Sequence, residues 1–148
     1  MAESMFLHEL TDPQREAFMC LAARLASADS QLEDGELALL SQMRHEMDIP
    51  ANWRPSTATT AELLALFTDH RRRSIVLLEL LRLARIDQAV AGREKQFFVD
   101  AAAAFGFSRE QVQAILTWVR RHEALMVDAE ALLTTPITRI QLPSTPDA

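Results

Sequence analysis

The chain has 148 residues, the length of one domain with a substantial core. A net charge of −6 and a pI near 5.2 exclude general binding to nucleic acid or to anionic lipid. Three glycines, no tyrosine and abundant Ala and Leu favour helix over strand.

The opening stretch MAESMFLHEL has no basic region leading into a long apolar one, so no signal peptide is expected. Thr11 then opens a first helix, with Pro13 in its first turn and Gln14 where a capping-box partner belongs. Phe18, Leu21, Ala22 and Leu25 share one face, and the helix should end near Ala28. Cys20 lies in the apolar run AFMCLAARLA and reads as a small core residue; as the single cysteine it excludes an internal disulfide and fits a reducing, cytoplasmic setting. A second helix starts around Glu33, buries Leu37, Leu40, Met43 and Met47, and stops where Pro50 and Pro55 block continuation. Trp53, between those prolines, is expected to pack over the end of the bundle.

TTAELLALFTDH (59–70) reads as a third helix capped by Thr59 or Thr60. The fourth runs from about Asp69 to Ile86. Its apolar residues from Ile75 to Leu83 cover nearly the whole circumference, which marks a central helix. Its core SIVLLELLRLA is too short, and with Glu79 and Arg82 too charged, to span a bilayer. The fifth helix, about 91–105, buries Phe97, Phe98, Ala101 and Phe105. Gly106 then stops it, Ser108 caps the next and Gln111 completes a capping box. The sixth carries Val112, Ile115, Leu116 and Val119, with Trp118 at core or rim, and either continues or breaks before Leu132. The tail 134–148, rich in Pro and Thr, should be flexible. The expectation is an all-α fold: a compact bundle of six or seven helices in a single domain over residues 1–133.

The sequence also repeats itself. A shift of 58 residues lays 18–50 on 76–108 without a gap. Arg24, Leu25, Ala26, Asp29 and Glu36 then meet identical residues at Arg82, Leu83, Ala84, Asp87 and Glu94, while Leu32 meets Val90. Each copy ends on an apolar residue, one linker residue, a second apolar residue and a stop or cap. Each half therefore reads as a helical hairpin, with its Asp at the turn and its Glu in the first turn of the following helix.

Two chemistries fit this Asp and Glu. With caps at Glu33 and Ala91, Glu36 and Glu94 take the third helical position and favour the helix by facing its positive end, worth ~0.3–1 kcal/mol. Alternatively, Asp29 with Glu36, and Asp87 with Glu94, present the oxygen ligands that a hard cation, Ca²⁺ or Mg²⁺, accepts. Glu33 and Asp34 add acid to the first corner; Arg85 and Arg93 flank the second. An EF-hand loop does not fit, since counting from Asp29 puts Gly35 at the seventh position and Leu40 where a bidentate Glu belongs.

An Asp, an aliphatic residue three positions on and a Glu seven on, after a helix ending LAxAD, resembles the TerB-like domains of tellurite resistance. The resemblance spans roughly residues 5–125, with Ser30 and Gln88 where that motif has glycine. It implies a helical bundle built from a duplicated hairpin and a divalent-metal site at Asp29, Glu36, Asp87 and Glu94. It further implies a non-enzymatic, stress-related domain working with a protein partner in a larger assembly.

The remaining polar residues read as structural. His8, His45, His70 and His122 lack ligand spacing and should be solvated. HRRR (70–73) and RRH (120–122) are expected to be helix ends or ion-pair partners, with Arg24 and Arg82 pairing to carboxylates. No nucleophile triad or phosphate loop can be assembled, so no enzymatic activity is expected. The alternative function is a protein-interaction module whose acid pairs only cap helices.

Overall fold

The computed structural model describes residues 5–26, 34–84 and 92–135. Among these residues the chain is all-α: a 3-10 turn at Leu7–Glu9, then six helices. They are α1 (Asp12–Ala26), α2 (Asp34–Glu46), α3 (Thr60–Leu64), α4 (His70–Ala84), α5 (Gly92–Ala104) and α6 (Arg109–Thr134). None is long and apolar enough to cross a membrane.

The local signals explain where the helices start. Thr11 Oγ1 accepts from Gln14 N at 3.4 Å while Gln14 Oε1 accepts from Thr11 N at 3.0 Å. Full capping boxes join Thr59 to Glu62 and Ser108 to Gln111. At α4 the Asp69 carboxylate takes the amide of Arg72 at 3.1 Å.

α1 and α4 form the centre. α1 packs against α2, α3, α4 and α5; α4 packs against α1, α5, α6 and the 3-10 turn. Phe18, Leu21 and Leu25 on α1 and Val76, Leu77 and Leu80 on α4 have no exposed surface. Each such side chain contributes about 1.5–3 kcal/mol by leaving water. From Ile75 to Ala84 every residue of α4 except the half-buried Leu78 is buried, as an all-round apolar helix must be. Cys20 is buried and accepts from the Ser56 amide at 3.3 Å. Trp53 packs, half-buried, on the core.

The helices keep the 58-residue offset found in the sequence. α1 and α4 begin 58 positions apart, at Asp12 and His70, and α2 and α5 end 58 positions apart, at Glu46 and Ala104. α2 and α5 also stop in the same way. Asp48 N bonds His45 O and Ile49 N bonds Arg44 O; Gly106 N bonds Ala103 O and Phe107 N bonds Ala102 O. This is a Schellman stop, which requires a left-handed residue: Asp48 has φ 56° and Gly106 φ 76°. The single linker residue between two apolar ones is that left-handed residue.

One expectation needs correction. The third helix does not run over 59–70 but ends at Leu64. The amides of Leu66 and Phe67 donate to the carbonyls of Leu63 and Leu64 in tight turns, and Arg73 Nε donates to the Phe67 carbonyl at 2.7 Å. Leu63, Leu64 and Phe67 are buried by that turn as they would be by a helix, so apolar spacing alone does not separate the two. For the sixth helix, where continuation and a break were both open, the helix continues: α6 runs 26 residues to Thr134. The expected end of α1 near Ala28 and the tail from residue 136 lie outside the described residues.

Candidate functional site

Asp29 and Asp87 lie outside the described residues, as do the side chains of Glu36 and Glu94. The backbone does place the two glutamates on helices, Glu36 in α2 and Glu94 in α5. Among the described residues no group of three or more His, Cys, Asp or Glu side chains could hold a metal ion.

The residues leading into the two corners are described. Arg24, in the last turn of α1, donates to Thr60 Oγ1 at 3.1 Å and to the carbonyls of Ser56 and Ala58, tying α1 to the start of α3. Its counterpart Arg82, in the last turn of α4, is buried and donates to Glu79 Oε2 at 3.0 Å. The expected carboxylate pairing is thus seen for Arg82, while the Arg24 contacts described here are to a hydroxyl and to carbonyls.

Glu79 is the strongest electrostatic feature of the described core. Its side chain has no exposed surface and sits one helical turn before Arg82. The second carboxylate oxygen accepts from Met5 N at 2.9 Å and Phe6 N at 3.3 Å. Burial pushes its pKa above the ordinary carboxylate value; Arg82 and the two amides oppose that shift without cancelling it. Glu79 therefore clamps the lead-in to the 3-10 turn onto the central helix. A lone Glu inside the apolar run SIVLLELLRLA, three residues before an Arg, is the sign of the ion pair in the sequence, though not of its amide partners.

His122 adjoins this cluster from α6. It is half-buried and stacks on Trp118 with ring centroids 5.2 Å apart and planes at 13°. Its pKa is lowered, chiefly by burial and then by the charge of Arg82. Unlike the exposed His8, His45 and His70, it departs from the solvated state expected of all four. Trp118 is a rim residue, 38% exposed.

The basic run 70–73 is used for structure. Arg71 makes a two-pronged contact with Glu9, both bonds at 2.8 Å, and that hydrogen bond lowers the Glu9 pKa. Arg72 pairs with Asp69, whose pKa falls mainly through the Arg72 amide. Arg73 lies 5.7 Å over the Phe105 ring. A shallow groove beside these residues is lined by Phe6, His70, Ser74, Ile75, Leu78 and Ile115. It brings Ser74 Oγ within 3.4 Å of His70 Nε2. The Ser74 hydroxyl, however, donates to the His70 carbonyl at 2.8 Å, so its proton is already committed to the helix.

No protein-family model, curated protein or solved structure matches the chain.

Proposed function

We propose that this chain is a non-enzymatic, TerB-like helical domain of the chemical-stress type. In this reading it acts in the cytoplasm as part of a larger assembly and takes up a divalent cation, Ca²⁺ or Mg²⁺, through its acid corners. The supporting observation is the 58-residue offset shared by the starts of α1 and α4 and by the ends of α2 and α5, with Glu36 on α2 and Glu94 on α5. Asp29 and Glu36 would hold the ion at one corner, and Asp87 and Glu94 at the other. Extra carboxylates at Glu33 and Asp34 make the first the stronger site.

A second reading has an observation of its own. The third helical position is where a capping-box carboxylate belongs, and α1, α3 and α6 each use Gln or Glu there. On that reading the domain is a protein-interaction module whose acid pairs only cap helices.

Thermal melting with and without Ca²⁺ or Mg²⁺ separates the two. An ion at 100 times its dissociation constant should stabilise the fold by ~2.7 kcal/mol. Gln can still cap, but it lacks the charge that a hard cation needs. The double variant Glu36→Gln, Glu94→Gln should therefore lose only the ~0.3–1 kcal/mol per site that the charge gives at a helix start, and should lose the ion-induced shift altogether. If no ion moves the melting point at millimolar concentration, the cation reading is wrong and the capping reading stands.

A further inference from the structure

The distal half of α6 leaves an apolar face uncovered. Trp118, Leu125, Met126, Leu132 and Leu133 are 38%, 66%, 40%, 70% and 82% exposed. Together with His122 and Ala129 they fall at i, i+4, i+7, i+8, i+11, i+14 and i+15, which is one side of a helix. The uncovered area is on the order of 500 Å² per chain, beyond what scattered surface residues provide and approaching the ~800 Å² each partner buries in an ordinary interface.

The charges beside this stripe say what covers it. Trp118, His122, Leu125, Ala129 and Leu132 alternate at spacings of four and three, the seam of a coiled coil. Arg121 and Asp128 each immediately precede a seam residue on the same flank, seven positions apart, with Leu125 between them. Both are exposed, and neither makes an ion pair among the described residues. Two copies crossing antiparallel about Leu125 set Arg121 of each against Asp128 of the other, twice over by symmetry. In a parallel pair the same flanks would face the apolar Met126 and Leu133. A self-complementary patch with opposite charges on either side of an apolar centre is what a two-fold interface requires.

We propose that α6 is a self-association helix, and that a second copy of this chain docks antiparallel along the Trp118–Leu132 stripe. Sedimentation equilibrium of the full chain, from micromolar to millimolar, should show the mass rising from one chain to two. Leu125→Glu should abolish the dimer while leaving the helix content seen by circular dichroism unchanged, since Leu125 is 66% exposed and lies outside the packed core. Arg121→Asp and Asp128→Arg should each weaken the dimer by about tenfold or more through like-charge contacts. The two together should restore it. A chain monomeric at every concentration overturns the proposal, whether the stripe is then covered by residues 136–148 or by another protein. A dimer indifferent to Leu125→Glu lies elsewhere, and a double charge reversal that fails to restore affinity refutes the antiparallel arrangement.

Discussion

Replacing Glu79 tests whether the core depends on a carboxylate or only on a filled space. The side chain is wholly buried and gives three hydrogen bonds their acceptor: Met5 N, Phe6 N and Arg82 Nη1. Leucine would fill much of the volume and accept nothing. It would leave the buried Arg82 without this partner, and breaking one side of a buried pair costs about 3–5 kcal/mol. Glutamine keeps an acceptor and removes the charge. Because burial raises the folded-state pKa above the unfolded one, the charged form is the one the fold disfavours. The stability Glu79 supplies by titration is therefore complete below its unfolded pKa and is lost as pH rises through the folded value. Urea unfolding at several pH values should show Glu79→Leu badly destabilised and Glu79→Gln much less so. Wild type should lose ground to Glu79→Gln as pH rises from the unfolded carboxylate pKa. A Leu variant within about 1 kcal/mol of wild type, against the 3–5 expected for a broken pair, would refute the reasoning. So would a Gln variant as damaged as Leu, with a pH-independent gap from wild type.

Other outcomes follow from single features. Gly106→Ala meets no atom within 4 Å, so its loss, about 1–2 kcal/mol by urea unfolding, should come from the left-handed backbone alone. Asp48→Gly, at the equivalent stop, should raise stability by up to about 1 kcal/mol, provided the left-handed strain exceeds the entropy that glycine adds to the unfolded chain. Ser108→Ala removes the side-chain half of the α6 capping box and should lower unfolding stability by about 1 kcal/mol. Phe67→Ala empties a site with no exposure, where the ring meets Phe105 edge-on at 6.2 Å, and should cost about 3–5 kcal/mol.

Much of the fold was legible because local rules and burial agree. The capping boxes read from the sequence at Thr11 and Ser108 are present, Thr59 is the cap of the third helix where Thr59 and Thr60 were both open, and the all-round apolar run at 75–83 became the central helix. Where periodicity failed, a turn had mimicked it: Leu63, Leu64 and Phe67 hold helical spacing, yet backbone bonds three residues apart replace the helix after Leu64. The length of α6 was ambiguous for the opposite reason, since no Gly or Pro interrupts 109–134 while its apolar residues outrun the bundle. The lead-in at residues 5–10 was missed because a 3-10 turn has too few residues to show a period. Of the candidate site, the placement of Glu36 and Glu94 on helices was legible; the amide partners of Glu79, 73 and 74 positions away, were not.

The offset also explains why a buried acid stands on α4 and not on α1. Position 79 corresponds to Leu21, which is equally buried but apolar. What differs is the neighbour. The amides of Met5 and Phe6, just ahead of the 3-10 turn, point at α4, and Phe6 at the head of that turn has no side-chain cap. Amides that reach a helix face need an acceptor there, and a carboxylate supplies one at the expense of its own desolvation. Arg82 limits that expense from one turn away. Its counterpart Arg24 makes contacts of another kind, to the carbonyls and hydroxyl ahead of α3. One sequence position thus answers two architectural needs, binding an incoming loop beside α1 and neutralising a buried carboxylate beside α4. An arginine suits both because its planar fork can divide its donors among several acceptors.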